Sequence, residues 1–317
     1  MSDYFDLQVN GYAGVDFNDD SLTGDQLHAA CERLAQDGVT GFLATIITEQ
    51  LDRMNARLAR LAALRARDPL VAKLMRGVHI EGPFLSGEPG YRGAHPADAI
   101  LPGDADVMRR LLDEAGGLTR LVTLAPECDP RHEVIRLLAA HGVTVAAGHT
   151  NATRDQLQAA LDAGVTMFTH LGNGCPLELP RHDNIIQRVL SLADRLWVSV
   201  IADGVHVPFY VLGNFIRAIG TERCVVVTDA MAAAGCGPGR HRLGRWEIEM
   251  GEDGAAWSPD HSHLVGAATT MPQLHRNLRD QLGLSEADCQ RLLAINPSRA
   301  IGITVAAGSR APPPPGA

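Results

Sequence analysis

The sequence has no run of basic residues and no long apolar segment. Its 28 Lys and Arg stand against 37 Asp and Glu, which leaves a formal net charge of -9. A nucleic-acid surface needs clustered cations, so this balance argues against nucleic acid as a partner. No window of about 18 uninterrupted apolar residues occurs, so no transmembrane helix is expected. The opening residues, MSDYFD, lack the basic flank and apolar stretch of a signal peptide. A cytoplasmic location is therefore expected.

The sequence also lacks two motifs that would indicate other chemistry. No C-x-x-C pair occurs, so neither a disulfide framework nor a thiolate metal site is expected. No G-x-S-x-G motif occurs, which removes the usual signature of a serine nucleophile. Cys175 has no basic neighbour and is predicted to be an inert, buried thiol. The six cysteines are Cys31, Cys128, Cys175, Cys224, Cys236 and Cys289.

Short apolar runs that alternate with amphipathic segments predict the fold. The chain has 317 residues, 45% of them hydrophobic, which is enough for the core of one large domain or two small ones. Eight strand–helix units predict a closed parallel (β/α)₈ barrel of the TIM type, an α/β fold. The predicted strands are Asp6 to Val9, Gly41 to Ile47, Gly77 to Ile80, Leu121 to Ala125, Thr144 to Ala147, Thr166 to Thr169, Trp197 to Ile201 and Cys224 to Thr228. The predicted helices between them are Asp25 to Gln36, Leu51 to Arg67, Asp106 to Ala115, His132 to His141, Arg154 to Ala163, Ile185 to Leu192 and Pro208 to Ile219.

The remaining segments are less regular. A Gly-rich loop at Gly235 to Gly239 and a β-hairpin inserted near 236–260 are predicted after the eighth strand. Helices are predicted to resume at Pro272 to Gln281 and at Glu286 to Ala294. No linker divides the chain, so one barrel domain is expected over 1–306. The Pro-rich residues 307–317 are predicted to form a disordered tail.

Polar residues that follow the predicted strands point to a catalytic metal site. Active sites of TIM-type barrels lie at the C-terminal ends of the strands. One Glu and two His are the ligand types of a catalytic zinc site, and an Asp on another strand could carry the proton of the attacking water. Any one of these residues could instead be a helix cap or a surface residue. The strand-end residues are Gln8, Asn10, Glu81, Glu127, His149, His170, Asp203, His206 and Asp229.

Nine motifs in the same order resemble the N-acetylglucosamine-6-phosphate deacetylase family of the amidohydrolase superfamily. They extend from about residue 6 to about residue 303, which is most of the chain. The motifs are DLQVNG at 6–11, HIEGPF at 79–84, GAHP at 93–96, LAPE at 124–127, GHTNA at 148–152, THL at 169–171, ADGVH at 202–206, VTDA at 227–230 and NPSR at 296–299.

The resemblance implies one metal ion, with Glu81, His149 and His170 as its ligands. Members with His-x-His on the first strand can hold a second metal, whereas this chain has Gln8 and Asn10 there. A single divalent ion is therefore expected, and zinc suits one Glu and two His.

The resemblance also implies roles in catalysis and in substrate binding. Asp229 would be the catalytic acid and base, which takes a proton from water and gives it to the departing amine. His95 would hold the acetyl carbonyl, and His206 would contact the sugar.

Two departures from the family pattern concern the fold and the phosphate. Family members usually carry a small β-sandwich beside the barrel, and this chain is predicted to be a barrel without that accessory domain. In the family, an Asn and its neighbour after the second ligand His help bind phosphate, and Asn173 and Gly174 take that place here. An Arg eleven residues past that His reaches the phosphate of the adjoining subunit in the family. Arg181 has this spacing from His170, so a homodimer is a possible assembly.

Three functions remain open from the sequence. The leading one is metal-dependent hydrolysis of an amino sugar phosphate, N-acetylglucosamine 6-phosphate, to glucosamine 6-phosphate and acetate. The second is hydrolysis of another N-acyl substrate that lacks the phosphate. The third is a catalytically inactive barrel that only binds a ligand. The expected partner is a small N-acetyl amino sugar, with no role for nucleic acid or a membrane.

Overall fold

A parallel barrel of eight strands forms the body of the protein. The computed structural model describes residues 3–237, 239–243, 246–250, 255–257 and 264–303. Each barrel strand pairs in parallel with the next one along the chain, which confirms the predicted fold. The strands are β1 (Tyr4–Val9), β2 (Val39–Ile47), β3 (Met75–Glu81), β4 (Thr119–Leu124), β5 (Thr144–Ala147), β6 (Val165–Phe168), β7 (Trp197–Ile201) and β8 (Cys224–Val227).

The barrel closes between β1 and β8 mainly through a side chain. Asp6 Oδ2 accepts a hydrogen bond from Thr228 Oγ1 at 2.5 Å, and its Oδ1 accepts one from the Thr228 backbone N–H at 3.2 Å. Beyond these contacts a parallel bridge joins Val9 to Ala230. The seam therefore depends on a buried carboxyl group as well as on backbone pairing.

Alternating apolar residues fill the barrel and cover its outside. One cluster of buried side chains draws on seven of the eight strands, and it includes Phe5, Leu43, Met167 and Val225. Side chains from so many strands can meet only inside the barrel. Side chains on the other face, such as Phe42 on β2, pack in a second cluster with the surrounding helices. This division follows from the period of two along each strand.

Helices surround the barrel. Two of them begin with a capping box, in which Thr23 pairs with Gln26 and Thr153 pairs with Gln156. The helices are α1 (Gly24–Gln36), α2 (Leu51–Arg67), α3 (Pro69–Leu74), α4 (Ala105–Glu114), α5 (Glu133–Ala140), α6 (Arg154–Ala163), α7 (Ile185–Leu190), α8 (Phe209–Ile219), α9 (Met271–Leu282), α10 (Glu286–Gln290) and α11 (Asn296–Ala300).

Two helical segments differ from the sequence prediction. Helix α3 is not predicted, although Asp68 caps it by accepting from the N–H groups of Leu70 and Val71. The helix predicted at Glu286 to Ala294 is α10 followed by a π-turn over Arg291–Ile295, which continues into α11. Short apolar segments carry too little periodicity to reveal such changes.

A four-stranded antiparallel sheet follows β8 where the sequence predicts a single hairpin. Its strands are β9 (Gly239–Leu243), β10 (Trp246–Met250), β11 (Ala255–Trp257) and β12 (Leu264–Ala267). The Ala267 N–H donates to Asp229 O at 3.0 Å, so the end of β12 lies against the end of the barrel. The tail predicted at 307–317 lies outside the described residues. Within the described residues, no helix has the length and apolar character needed to cross a membrane.

Candidate active site

One cavity at the C-terminal ends of the barrel strands brings together the residues predicted to bind the metal, to act in catalysis and to contact the sugar. They come from the ends of five different strands and from the loops that follow them, although they are far apart in the chain. All but His206 are buried, with exposed fractions from 1% to 7%. The six residues are Glu81, His95, His149, His170, His206 and Asp229.

Glu81 lies at the centre of this arrangement. It is the last residue of β3, and its Oε1 lies 3.1 Å from His170 Nε2 and 3.3 Å from His149 Nε2. His95 Nε2 lies 4.0 Å from the other carboxylate oxygen, Oε2. Ligand atoms of Glu81, His95 and His149 lie within 4.8 Å of one another. Three imidazoles thus converge on one carboxylate, which is a donor set suited to a divalent metal ion.

Three of these residues have an uncommon backbone conformation. The φ angles of His149, His170 and Asp229 are 49°, 35° and 51°. These values fall in the left-handed region, which residues with a β-carbon rarely adopt. Each residue lies two positions past the end of its strand, β5, β6 or β8, where the chain turns away from the strand. Such strained positions concentrate at functional sites.

The loops around His149 fix the position of its ring. Its Nδ1 lies 2.8 Å from the Tyr91 carbonyl oxygen, which can only accept, so Nδ1 carries the proton. The other ring nitrogen, Nε2, faces Glu81 Oε1. The backbones of Gly93 and Gly174 lie against the ring, and a β-carbon at either position would come within 3.1 Å of it. Glycine at both positions leaves room for the imidazole.

Burial and mutual contacts set the protonation states of the residues around Glu81. Burial opposes ionisation of Glu81, yet hydrogen bonds from His149 and His170 hold its pKa well below the usual carboxyl value. Burial also opposes the cationic form of His170, but its contact with Glu81 raises its pKa. Burial and the charge of His149 lower the pKa of His95 to about 3. Glu81 is thus an anion, and His95 is a neutral imidazole.

Asp229 lines the same cavity as these groups. Its Oδ1 accepts a hydrogen bond from Asn10 Nδ2 at 2.8 Å. Burial, and secondarily the negative charge of Glu81, raises the pKa of Asp229 to about 6. A carboxyl group with that pKa can both accept and release a proton near neutral pH.

Comparison with known proteins places the chain in a family. No protein-family model matches it. It is 35% identical over 312 residues to N-acetylglucosamine-6-phosphate deacetylase of Bos taurus, an alignment that covers 95% of this chain and 74% of the relative. The chain belongs to the N-acetylglucosamine-6-phosphate deacetylase family. It is also 31% identical to N-acetylgalactosamine-6-phosphate deacetylase of Escherichia coli O157:H7, with 98% of this chain and 80% of that protein covered.

A solved structure gives the same result. A mutant of N-acetyl-D-glucosamine-6-phosphate deacetylase from Mycobacterium smegmatis, in complex with N-acetyl-D-glucosamine-6-phosphate, matches with a TM-score of 0.86. The sequences are 32% identical, and the match covers 96% of this chain and 78% of that one.

His206, which the family resemblance implies as a contact to the sugar, also lines the cavity. Its Nδ1 donates to Asp203 Oδ2 at 2.6 Å, while Asp203 Oδ1 accepts the N–H groups of Val205 and His206 at 2.9 Å. Burial opposes ionisation of Asp203, but the contact with His206 lowers its pKa. This anchoring leaves His206 Nε2 free of Asp203. Asp203 itself does not line the cavity in the described part of the chain.

Of the three residues predicted to bind phosphate, two line the cavity and one does not. Asn173 and Gly174 line the cavity, whereas Arg181 is exposed and is not among the described residues that line it. Arg188 stabilises the loop between β6 and α7, which contains Arg181. Its Nε donates to Asp183 Oδ1 at 2.6 Å, and its Nη1 donates to Ala152 O at 3.1 Å. A role of Arg181 at a neighbouring subunit stays a prediction.

Two of the other strand-end residues, Glu127 and Gln8, position neighbouring groups through hydrogen bonds. Glu127 does not line the cavity in the described part of the chain, and its carboxylate accepts from Thr150 Oγ1 and from the Asn151 N–H, the latter at 2.7 Å. It therefore fixes the loop after His149. Gln8 Nε2 donates to Glu81 Oε1 at 3.2 Å.

Two further residues line the cavity that the sequence analysis does not predict. Met231 and Gly266 line it, and Gly266 belongs to β12 of the added sheet. No motif marks either residue. The hydrogen bond between Asn10 and Asp229 joins residues at opposite ends of the chain, so local pattern cannot reveal it.

Proposed function

We propose that the protein removes the acetyl group from N-acetylglucosamine 6-phosphate, with glucosamine 6-phosphate and acetate as products. The observation that carries the proposal is the convergence of His149 and His170 on Glu81, in the same cavity as Asp229. The chain's membership of the deacetylase family supplies the substrate class. An inactive barrel would not need four such groups in one cavity.

A metal ion fits the cluster around Glu81. Two imidazole nitrogens lie within 3.3 Å of the same carboxylate oxygen, an approach that a shared cation would favour. We assign Glu81, His149 and His170 as its ligands, and zinc as the metal, because one Glu and two His form a typical catalytic zinc set. When bound, the ion would lower the pKa of a water ligand to about 7 and stabilise negative charge on a carbonyl oxygen.

Asp229 moves the proton in this mechanism. With a pKa of about 6, it is mostly ionised at neutral pH and can accept a proton from the attacking water. The amine is a poor leaving group until it is protonated. The same carboxyl group then donates that proton to the nitrogen as the carbon–nitrogen bond breaks.

His95 holds the acetyl oxygen. Its pKa of about 3 keeps the ring neutral at pH 7, so one ring nitrogen carries a proton and can donate a hydrogen bond. Its Nδ1 has no hydrogen-bond partner among the described residues although it is buried. A donor aimed at the developing oxyanion contributes about 3–4 kcal/mol to the transition state.

The sugar and phosphate extend toward the loops after β6 and β7. We assign His206, Asn173 and Gly174 to this part of the substrate. Arg181 would contribute from a neighbouring subunit of a homodimer, where its guanidinium offers a planar donor fork for phosphate.

One observation favours a second candidate, an amide hydrolase whose substrate lacks the phosphate. The described residues that line the cavity include no lysine and no arginine. A phosphate that received no cation from another subunit would be held only by neutral donors and His206. The two candidates share the metal cluster and Asp229.

Parallel assays of N-acetylglucosamine with and without the 6-phosphate test the proposal. Acetate release is followed by NMR, and kcat/KM is obtained for each compound. The phosphorylated compound should be favoured by about 10- to 150-fold, the effect of one charge-assisted contact. Equal values would support the second candidate. No acetate from either compound, with the metal bound, would contradict the proposed deacetylation.

A further inference from the structure

Asn10 is a buried amide whose nitrogen already has a partner. It directly follows β1 and is 7% exposed. Its Nδ2 donates to Asp229 Oδ1 at 2.8 Å. Because an ionised carboxylate can only accept, this contact identifies the nitrogen and the oxygen of the side-chain amide. The backbone is fixed as well, because the Asn10 N–H donates to Ala230 O at 2.7 Å and the Asn10 carbonyl accepts from the Phe17 N–H at 2.9 Å.

The oxygen of the same amide has no partner. Asn10 Oδ1 is buried and accepts no hydrogen bond from the described residues, while Asn10 lines the catalytic cavity. Buried polar atoms without a partner are uncommon in folded proteins. Asn18, in the same connection between β1 and α1, has both ends of its side chain bonded: its Nδ2 donates to Thr45 O at 3.0 Å, and its Oδ1 accepts from the Ile47 N–H at 3.1 Å. The side-chain oxygens of Asn55 and Asn296 also lack a partner, but neither residue is among the described residues that line the cavity. Asn10 combines an unpaired oxygen with a place in the cavity, which points to a donor on a ligand.

The substrate of the proposed reaction has one donor at the reacting group, the N–H of the scissile amide. Glu81 Oε1 is already engaged by the two histidines, and Asp229 Oδ1 is engaged by Asn10. Asp229 Oδ2 must stay available for the proton. Asn10 Oδ1 is thus the neutral acceptor that lies next to the proton carrier.

We propose that Asn10 is a catalytic residue that joins the scissile amide of the substrate to Asp229. Its Oδ1 accepts the substrate N–H, and its Nδ2 holds Asp229. The nitrogen that must receive the proton is thereby held beside the carboxyl group that supplies it. This positioning counts when the proton is transferred, in the transition state, so losing the contact should affect kcat more than KM. This inference rests on the proposed function.

An ester analogue separates the two contacts. It carries a 2-O-acetyl group in place of the N-acetyl group on glucose 6-phosphate, so it has the same carbonyl and no N–H. Asn10→Ala removes both contacts, and it should lower kcat/KM for the amide about 10-fold more than for the ester. Asn10→Asp keeps an acceptor oxygen but loses the donor to Asp229, so it should slow both substrates by the same factor.

Asn18→Ala is the matched control, since it removes a buried asparagine whose two ends bond to backbone. Any loss it causes should be equal for the two substrates. Equal losses for amide and ester in Asn10→Ala would overturn the proposal, as would a changed amide-to-ester ratio in Asn10→Asp. If Asn10→Ala does not fold, the Asn10→Asp ratio still decides. Absence of amide hydrolysis by the unmodified protein would instead contradict the proposed function.

Discussion

Gly174 leaves room for the two histidines of the proposed metal site because it has no β-carbon. Its φ is +57°, and a β-carbon there would lie 3.0 Å from His149 Nδ1 and 3.2 Å from His170 Cε1. These distances are shorter than ordinary van der Waals contacts, so Gly174→Ala must displace one or both rings. Since the rings supply two of the proposed metal ligands, the substitution should weaken metal binding.

The size of the effect has two parts. An alanine at positive φ costs roughly 1–2 kcal/mol in the free energy of unfolding, wherever it occurs. Gly142 has φ +70°, and a β-carbon there would meet no described atom within 4 Å, so Gly142→Ala should show this backbone part alone. Displacing a ligand ring adds a loss of metal affinity, which is about 10- to 100-fold when the support of a ligand is disturbed.

Two measurements on each variant separate the parts. Urea unfolding of the metal-free proteins should show a loss for both variants, at least as large for Gly174→Ala as for Gly142→Ala. Competition with a chelator should show weaker zinc binding for Gly174→Ala only. Unchanged metal affinity in Gly174→Ala, or an equal loss in Gly142→Ala, would refute the reasoning.

Three further predictions concern a catalytic, a structural and a binding group. Asp229→Asn keeps the shape but removes the base, so kcat/KM should fall by about 10² or more while the metal stays bound; near-normal turnover would leave Asp229 a structural role. Burial raises the pKa of Asp6 to about 7, so the native state binds more protons than the unfolded state, and stability falls as pH rises from about 4 to 7. Asp6→Asn should remove that fall, which is at most about 3 kcal/mol between pH 5 and pH 8, when urea unfolding is compared at those two pH values. Arg181→Ala should lower kcat/KM by about 10- to 150-fold for the phosphorylated substrate only, and equal effects on both substrates would remove Arg181 from phosphate binding.

The barrel could be predicted from the sequence because its signal is local and repeated. Each strand is a short apolar run, and most of the following helices have apolar residues at helical spacing. The prediction failed where the signal was short, as in α3 and in the π-turn at Arg291–Ile295. The extent of the sheet after β8 was also missed.

The candidate site could be predicted only as a set of residue types. Position at strand ends placed Glu81, His149 and Asp229 on one side of the barrel, and the structure brings them to one cavity. Contacts between distant residues, such as Asn10 with Asp229, depend on barrel closure and leave no local pattern. The positive φ of His149 is likewise a tertiary effect, because its own sequence preference opposes it.

The most direct test of metal-dependent deacetylation is acetate release from N-acetylglucosamine 6-phosphate before and after metal removal. The protein is stripped with a chelator, dialysed and titrated with zinc, with a His149→Ala variant in parallel. We expect the stripped protein to be inactive and to recover at about one equivalent of zinc, whereas the variant should not recover. Full activity in the metal-free protein would contradict the account.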